Sequence, residues 1–317
     1  MIAKIALGVV ALVAAILVLA ALVAFRPDIP RAEIVAEYRA PDSTFVKLDD
    51  GSEIHVRDSG PKDAPALLLM HGVGSSAYAW DGWAAALSDK YRVLRMDLPG
   101  HGLTMVRSVP GGIVDQEALI DAVLDKLGIE TVIIGGNSLG GGVAWRYAAE
   151  RPDRVRGLIV VDSGGGGPPN AGQRGRGGPR RFAMIPGAQV AFRWGSGSLV
   201  WRYALESGVA DKSLITDAQV RRADRLWRAE GNRETMLKRM AGGFAAAPAD
   251  PKTIRVPTLV LQGEKDEFVS PASSKALADA IPGARYILYP GLGHTPHEEA
   301  PAQTAADVRA FLDETRR

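Results

Sequence analysis

The sequence has 317 residues, of which 46% are hydrophobic and 23% are charged, a composition typical of a globular protein rather than a disordered one. The formal net charge of +2 gives no electrostatic reason to expect nucleic acid as a partner. The chain has no cysteine, which excludes disulfide bonds, thiolate metal sites and a cysteine nucleophile.

The first predicted element is an apolar segment at residues 5–25, preceded by Lys4 and followed by Arg26. A helix of about 21 residues is about 31 Å long, enough to cross the hydrocarbon core of a bilayer. A cleaved signal peptide is the competing interpretation, but its apolar part usually has only about 7 to 15 residues and ends at a small-x-small site. A buried helix of a soluble core is a third possibility. We expect residues 1–36 to form a transmembrane anchor and a linker, with the folded domain on the exported, periplasmic side.

From residue 37 onward, extended and helical patterns alternate. A hairpin is expected at residues 44–48 and 53–58, because the Asp50-Gly51 dipeptide between them favours a tight turn. Six apolar runs then predict buried strands, and segments with apolar residues three and four apart predict helices. The strands are expected at residues 66–70, 92–96, 131–135, 158–161, 258–261 and 286–288, and the helices at 77–87, 116–127, 139–149, 272–281 and 302–312. This alternation predicts an α/β fold with a mainly parallel sheet covered by helices.

Residues 164–250 interrupt the alternation, so the core is predicted to comprise residues 37–163 and 251–317. The insertion begins with a stretch rich in glycine, proline and arginine and continues with a helical pattern at residues 217–240. An insertion at this point lies over the carboxyl ends of the strands, where ligands bind, so we expect a helical cap or lid. It has 14 lysines and arginines against 7 acidic residues, which predicts either contact with anionic lipid or a solvated face. The arginines concerned are Arg174, Arg176, Arg180, Arg181, Arg221, Arg222, Arg225 and Arg228.

The segment Gly136-Asn137-Ser138-Leu139-Gly140 follows the predicted strand at residues 131–135 and opens the next helix. In a G-x-S-x-G turn between strand and helix, the serine has a strained backbone, and the glycines remove side chains that would clash there. The pattern alone is weak evidence in a chain with 36 glycines. With its strand and helix it predicts that Ser138 is a nucleophile.

A serine nucleophile needs a base, and the base must be oriented by an acid. His294 follows the last predicted strand through a glycine-containing turn and is the best candidate for the base. His297 and His55 are more readily explained as structural. For the acid, the loop after the strand at residues 258–261 offers Glu264, Asp266 and Glu267, of which Asp266 is preferred for its short side chain. Asp162, at the end of the preceding strand, is a possible substitute.

An oxyanion intermediate needs backbone donors near the nucleophile. His71-Gly72-Val73-Gly74 follows the predicted strand at residues 66–70 and leads into a helix. The amide of Val73 and the amide of Leu139, at a helix start, are therefore the expected oxyanion donors.

The segment of Val73 and then Ser138, Asp266 and His294 follow in this order along the chain. With this order, residues 40–315 resemble the α/β-hydrolase fold proteins. The resemblance rests on His71-Gly72-Val73-Gly74 with Trp80, Asp97-Leu98-Pro99-Gly100-His101-Gly102, Gly136-Asn137-Ser138-Leu139-Gly140-Gly141, Gly263-Glu264-Lys265-Asp266 and Gly293-His294-Thr295-Pro296-His297. It implies an eight-stranded sheet with an antiparallel second strand, a triad of Ser138, Asp266 and His294, oxyanion donors Val73 and Leu139, and a cap at residues 164–250. A serine nucleophile disfavours the aspartate-dependent dehalogenases and epoxide hydrolases of this fold.

The neighbourhood of Ser138 resembles serine esterases, C–C bond hydrolases and cofactor-free perhydrolases alike, and fold does not choose among them. We expect a carboxylic ester hydrolase acting on a small, apolar substrate, with no cofactor and no metal. A membrane-lipid partner is expected through the anchor and the basic insertion. The alternatives are a C–C bond hydrolase acting on a dienone acid and a non-catalytic ligand-binding protein.

Overall fold

The computed structural model describes residues 25–107, 115–165, 197–241 and 249–315. The strands are β1 (Ser43–Lys47), β2 (Glu53–Ser59), β3 (Ala66–Met70), β4 (Arg92–Met96), β5 (Val132–Asn137), β6 (Val155–Val161), β7 (Thr258–Gly263) and β8 (Arg285–Tyr289). They form one sheet in the order β1-β2-β4-β3-β5-β6-β7-β8. Strand β2 is antiparallel to both its neighbours, and the pairs from β4 to β8 are parallel. The predicted eight-stranded, mostly parallel sheet is confirmed.

Helices lie on both faces of this sheet. The helices of the described residues are α1 (Arg31–Tyr38), α2 (Asp81–Leu87), α3 (Gln116–Lys126), α4 (Leu139–Glu150), α5 (Ser198–Glu206), α6 (Asp217–Trp227), α7 (Asn232–Ala241), α8 (Pro271–Ala280), α9 (Pro296–Glu299) and α10 (Pro301–Thr315). Apolar residues of α3, α4 and α8 belong to one core cluster, and those of α2 and α10 belong to a second cluster.

Strand β3 shows why the central strands read as continuous apolar runs. All five of its residues are buried. Leu68 and Met70 join the core cluster of α3, α4 and α8, whereas Leu67 and Leu69 join the cluster of α2 and α10. Successive side chains point to opposite faces, so a strand covered on both faces needs apolar residues at every position. Strand β8 was expected to be buried in the same way, but it lies at the edge of the sheet, with Arg285 and Leu288 exposed.

The inserted segment between β6 and β7 contains α5, α6 and α7. The helical pattern at residues 217–240 does not form one helix, because the chain turns at Gly231, which has φ of 87°. A left-handed backbone of this kind suits glycine and ends a helix. Asn232 then begins α7, and its side-chain amide donates hydrogen bonds to the carbonyl oxygens of Gly102, at 3.0 Å, and Leu226, at 2.8 Å. These bonds fix α7 against both α6 and the core.

Residues just before the core pack against the insertion. The amide of Ile29 donates to the carbonyl of Arg228 at 2.7 Å, and the side chains of Ile29 and Ile34 are buried. The Arg225 guanidinium is 2.6 Å from carboxylate oxygens of both Glu33 and Glu37. Residues 31–36, expected to be part of a linker, therefore belong to α1, a helix held to α6 by ion pairs.

The prediction of a transmembrane anchor is wrong. In the part of the chain that the structure describes, no helix combines the length and the apolar character needed to cross a membrane. Residues 1–24, which contain nearly all of the predicted anchor, lie outside the described residues. The expectation of a membrane-anchored domain with a defined side is therefore withdrawn.

Candidate active site

Ser138 lies in the turn between β5 and α4, with φ of 52° and ψ of −111°. This is a strained conformation for a residue with a side chain. The flanking glycines make it possible: a Cβ atom on Gly136 would lie 2.3 Å from the carbonyl carbon of Gly140, and one on Gly140 would lie 2.2 Å from the carbonyl oxygen of Met70. The amide of Ser138 donates to the Val161 carbonyl at 2.9 Å, which fixes the turn to the neighbouring strand.

His294 and Asp266 form a direct pair, with His294 Nδ1 2.7 Å from Asp266 Oδ2. The other carboxylate oxygen, Oδ1, accepts hydrogen bonds from the amides of Phe268, at 2.7 Å, and Val269, at 2.9 Å. Burial by itself would raise the pKa of Asp266, but the hydrogen bond and charge of His294 and these two amides outweigh it and lower the pKa. Asp266 is thus held ionised, with one oxygen aimed at the imidazole.

The main chain of His294 is fixed from two sides. Its carbonyl oxygen accepts a hydrogen bond from the Asn137 side-chain amide at 3.0 Å, and its amide donates to the Gly208 carbonyl of the inserted segment at 2.8 Å. Asn137 precedes Ser138. The first bond therefore links the histidine turn, residues 290–295 between β8 and α9, to the serine turn, residues 136–140 where β5 meets α4. Within the described residues there is no hydrogen bond between the Ser138 hydroxyl and the His294 ring. Such contacts are often long in enzymes without substrate.

The segment at residues 71–74 passes directly beside Ser138. A Cβ atom on Gly72 would lie 2.8 Å from Asn137 Oδ1 and 3.2 Å from Ser138 Cβ, so only glycine fits there. His71 is buried; its Nδ1 donates to the Gly72 carbonyl at 2.7 Å, and its Nε2 accepts from the Leu98 amide at 3.1 Å. Burial also lowers the pKa of His71. A neutral, fully bonded His71 therefore holds this segment against the serine turn.

Leu139 is the first residue of α4, and its amide has no partner inside the helix. It follows Ser138 directly, at the positive end of the helix dipole. Val73 lies in the segment beside Ser138, and its side chain is 47% exposed. The structure therefore places both expected oxyanion donors next to the serine turn.

The surroundings of this site are apolar. Phe268 is 52% exposed, and its ring meets the His294 ring edge-on with centroids 5.1 Å apart. Trp201, from α5, lies 3.2 Å from the position that a Cβ atom on Gly74 would take. Together with Val73, these side chains place hydrocarbon surface beside the serine and histidine turns.

The other candidate residues lie elsewhere or have other partners. His55 is buried between Ser43 Oγ, 2.8 Å from its Nε2, and Asp97 Oδ2, 2.6 Å from its Nδ1. His297 is buried and stacks on Trp80 with centroids 4.1 Å apart, and burial followed by the charge of His294 lowers its pKa to about 3. Glu264 Oε2 accepts from the Gly291 amide at 3.2 Å.

Asp162, the possible substitute for the acid, is fully buried and lies close to the pair. Among the described residues, Asp162, Asp266 and His294 are the one set of histidine and acidic side chains whose ligand atoms all lie within 4.8 Å of one another, close enough to share a metal ion. A direct hydrogen bond already joins two of them.

Sequence reasoning missed Glu299. Its Oε1 accepts from the Gly293 amide at 2.8 Å, and its Oε2 accepts from the Ala210 amide at 2.7 Å. One carboxylate thereby joins the histidine turn to the inserted segment. The acidic pair Glu298-Glu299, four and five residues after His294, was the available signal, but a pair of acidic residues at a helix start is usually explained by the helix dipole.

Three of the four arginines at α6 contact other side chains, and the fourth, Arg221, is exposed. Arg222 lies over the Tyr78 ring, 4.5 Å from its centroid, Arg225 pairs with Glu33 and Glu37, and Arg228 pairs with Asp224 at 3.2 Å. Arg174, Arg176, Arg180 and Arg181 lie outside the described residues. The expected contact of this helix with anionic lipid has no support from these side chains.

The model of the alpha/beta hydrolase fold family matches residues 65–301. The chain belongs to this family. The alpha/beta hydrolases it resembles include the 2-hydroxy-6-oxononadienedioate/2-hydroxy-6-oxononatrienedioate hydrolase of Cupriavidus pinatubonensis, 29% identical over 283 residues, which cover 83% of this chain and 93% of that one. The predicted family is confirmed, and the protein is a hydrolase of this fold.

Solved structures give the same result for the fold. A thermophilic esterase from Thermogutta terrifontis has a TM-score of 0.68 and 25% identity, covering 87% of this chain and 99% of that one. A structure described as a putative lipase from Acinetobacter baumannii has a TM-score of 0.74 and 23% identity, covering 92% and 98%. These similarities establish the alpha/beta hydrolase architecture and leave the substrate open.

Proposed function

We propose that this alpha/beta hydrolase is a serine hydrolase that cleaves carboxylic esters with an apolar acyl or alcohol part. The observation that carries the proposal is the strained backbone of Ser138 at a helix start, with a His294–Asp266 pair of 2.7 Å whose turn is bonded to Asn137. In this proposal, residues 164–250 form a cap over a core made of residues 37–163 and 251–317.

The mechanism follows from the chemistry of these groups. Ser138 Oγ attacks the ester carbonyl while His294 Nε2 takes its proton, and Asp266 holds the imidazole in the required tautomer. The negative oxygen that develops on the substrate accepts hydrogen bonds from the amides of Val73 and Leu139. The intermediate collapses, the alcohol leaves with the proton from His294, and an acyl-enzyme remains. Water, activated by His294, then releases the acid and restores Ser138.

An apolar substrate is favoured by the side chains around the site. Val73, Phe268 and Trp201 offer hydrocarbon surface near the serine and histidine turns, and the burial of apolar substrate atoms there contributes about 25 cal/mol per Å². The rate should therefore rise as the acyl chain of an aryl ester is lengthened from acetate to hexanoate.

A second candidate is C–C bond hydrolysis. It is favoured by the Cupriavidus relative and by the 2-hydroxymuconate semialdehyde hydrolase of Pseudomonas, 26% identical over 277 residues. Such a substrate carries carboxylates, which need cationic partners. In the described part of the insertion, Arg202, Arg225 and Arg228 already pair with acidic side chains, which favours the ester.

The first test is labelling by a fluorophosphonate probe, which reacts with an activated serine. We expect labelling of the wild type and none of Ser138→Ala. Equal labelling of both proteins would exclude Ser138 as the nucleophile, and no labelling of folded wild type would favour a non-catalytic binding protein. Rates on aryl esters and on a vinylogous diketone acid then separate the two reactions, since a faster reaction with the diketone would replace the ester proposal.

A further inference from the structure

Asp162 is a second carboxyl group behind the candidate triad, and it sits in an unusual backbone. It follows β6 directly, is fully buried, and has φ of 44°. Residues other than glycine enter this left-handed region at an energetic cost unless their surroundings hold them there. Asp162 is held through its Oδ1 atom, which accepts a hydrogen bond from the Gly263 amide at 2.8 Å.

A carboxylate oxygen of Asp162 lies close to the His294–Asp266 pair, since ligand atoms of Asp162, Asp266 and His294 lie within 4.8 Å of one another. Oδ2 of Asp162 is buried and accepts no hydrogen bond from the described residues. Two buried carboxylates this close oppose each other's ionisation, so one of them keeps a proton.

The hydrogen-bond donors decide which carboxyl group is charged. Asp266 accepts hydrogen bonds from His294, from the Gln262 side-chain amide at 3.2 Å and from the amides of Phe268 and Val269, four donors that stabilise a carboxylate. Among the described residues, the one donor to Asp162 is the Gly263 amide. Burial, followed by the charge of Asp266, raises the pKa of Asp162 well above its usual value. The proton therefore belongs on Asp162.

The groups around Asp162 agree with this assignment. Asp266 and Glu299 both add negative charge that opposes its ionisation. Burial raises the pKa of Tyr286 and of Tyr289, so both phenols stay uncharged and add no charge that would stabilise an ionised Asp162. An ionised Asp162 would thus face two carboxylates.

A shared metal ion is the alternative explanation for the cluster, and the distances oppose it. Ligand atoms on a tetrahedral ion, each about 2.1 Å from it, lie about 3.4 Å apart. His294 Nδ1 and Asp266 Oδ2 are 2.7 Å apart, which is the distance of a direct hydrogen bond.

We propose that Asp162 is a positioning residue that stays protonated and donates its hydrogen to Asp266, so that Asp266 keeps its charge and its orientation toward His294. The inference rests on the proposed function, in which Asp266 orients the base. No bond to the substrate is involved, and the proton remains on Asp162 throughout the reaction.

Two substitutions that tolerate the backbone of Asp162 separate its possible roles. Asp162→Asn keeps an oxygen for the Gly263 amide and supplies a permanent donor to Asp266, and asparagine enters the left-handed region more readily than most residues. Asp162→Gly also tolerates this backbone but removes the donor. Melting curves of both variants establish that they are folded under the assay conditions.

The readout is the rate of fluorophosphonate labelling as a function of pH, which needs no knowledge of the substrate. For Asp162→Asn we expect a labelling rate within about threefold of wild type, and the acid limb of the pH–rate profile should be unchanged. For Asp162→Gly we expect a rate about tenfold lower and an acid limb at higher pH, because Asp266 without its donor attracts a proton on His294 more strongly. Equal shifts to lower pH in both variants would show that Asp162 is ionised and overturn the proposal. A glycine variant like wild type, or an asparagine variant as slow as glycine, would also overturn it.

Infrared difference spectroscopy tests the proton separately from activity. Wild type minus Asp162→Asn at pH 7 should contain the carbonyl band of a protonated carboxylic acid. If the band is absent, the proposal is wrong even when Ser138 reacts with the probe. If the band is present and Ser138 does not react, the proton is where we place it and the proposed function fails.

Discussion

The described residues contain two sets of serine, histidine and aspartate, and their histidine–aspartate distances are nearly equal. In the candidate active site, His294 Nδ1 is 2.7 Å from Asp266 Oδ2. In the other set, His55 Nδ1 is 2.6 Å from Asp97 Oδ2, and His55 Nε2 is 2.8 Å from Ser43 Oγ. Each aspartate also accepts hydrogen bonds from two backbone amides, Asp97 from Ala77 and Leu103 and Asp266 from Phe268 and Val269.

The two sets differ at the serine. Ser43 begins strand β1, is buried, and its hydroxyl accepts a hydrogen bond from the Ala40 amide at 3.0 Å. Ser138 lies in a strained turn at a helix start, beside the segment of Val73. A histidine–aspartate hydrogen bond thus does not by itself distinguish the two sets. A serine nucleophile also needs an open approach and donors for the oxyanion, and of the two serines it is Ser138, half-buried at a helix start, for which we propose both.

The largest difference between the two sets should appear when the two serine hydroxyls are removed one at a time. We expect Ser138→Ala to lower ester hydrolysis by about 10⁴-fold or more, because no nucleophile remains. Ser43→Ala should keep the rate within about threefold and lower the free energy of unfolding by about 1 kcal/mol, the contribution of a buried hydrogen bond. Initial rates on an aryl ester and urea unfolding curves measure the two quantities. A Ser43→Ala protein that is folded but inactive would contradict the comparison.

Substitution of the two aspartates should likewise affect different quantities, activity for Asp266 and stability for Asp97. Asp266→Asn should lower kcat by about 10⁴-fold, because the imidazole loses its orientation and tautomer. Asp97→Asn should leave kcat within about tenfold but lower the free energy of unfolding by about 3 kcal/mol, since it leaves buried His55 without its carboxylate. Steady-state kinetics and denaturant unfolding test the pair. If Asp97→Asn were stable and inactive, Asp97 would have a role in the chemistry.

The sequence predicted the candidate active site better than it predicted the buried set. Ser138, Asp266 and His294 follow β5, β7 and β8 along the chain, and the ends of parallel strands meet at one edge of a sheet. Ser43 and His55 meet across the predicted β1–β2 hairpin, but Asp97 joins them from the end of β4, a contact that no local pattern of residues indicates. Sequence reasoning had still interpreted His55 as structural, because it lies in the hairpin rather than at a strand end.

Errors of the sequence interpretation arose where tertiary contacts decide the outcome. The helical pattern at residues 217–240 contains Gly231, and its break depends on the fit of Asn232 to the Gly102 carbonyl. The arginines of α6 were predicted to form a lipid-binding or a solvated face, and the pairing of Arg225 with Glu37 and Glu33 of α1, 188 and 192 residues earlier in the chain, was not foreseen. In both cases, a contact between residues distant in sequence contributes to the outcome.

Two glycines of α4 test whether the serine turn requires a residue without a side chain at position 140. A Cβ atom on Gly140 would lie 2.2 Å from the Met70 carbonyl oxygen, so Gly140→Ala must displace backbone beside Ser138. We expect it to lower the free energy of unfolding by about 3 kcal/mol, as overpacking does, and to lower the labelling rate as well.

At Gly142, by contrast, a Cβ atom would lie 3.4 Å from its nearest neighbour. Gly142→Ala should therefore stabilise the protein by about 0.5–1 kcal/mol, through helix propensity, without loss of labelling. Equal effects of the two substitutions would contradict this account of the turn.

The smallest effect is the pH dependence of stability, and here two buried aspartates should behave oppositely. Burial by itself would raise the pKa of Asp97, but the charge and hydrogen bond of His55 and the Leu103 amide outweigh it and lower the pKa. The ionised form of Asp97 thus stabilises the folded protein above about pH 4, and this contribution is lost as the pH falls through the folded pKa, with a slope of up to about 1.4 kcal/mol per pH unit. The difference in unfolding free energy between wild type and Asp97→Asn should therefore shrink as the pH falls from 7 to 3.

In the same experiment, the contribution of Asp162 to stability should change with pH in the opposite direction. Its raised pKa means that the folded state binds a proton that the unfolded state has released, so its contribution to stability falls as the pH rises above about 4. Relative to wild type, Asp162→Asn should gain stability as the pH rises from 4 to 7, whereas Asp97→Asn should lose stability as the pH rises from 3 to 4 and change little above pH 4. Urea unfolding at three pH values measures both slopes. Slopes of the same sign would mean that the charge on one of these aspartates is wrongly assigned, and a flat difference for Asp162→Asn would place that error at Asp162.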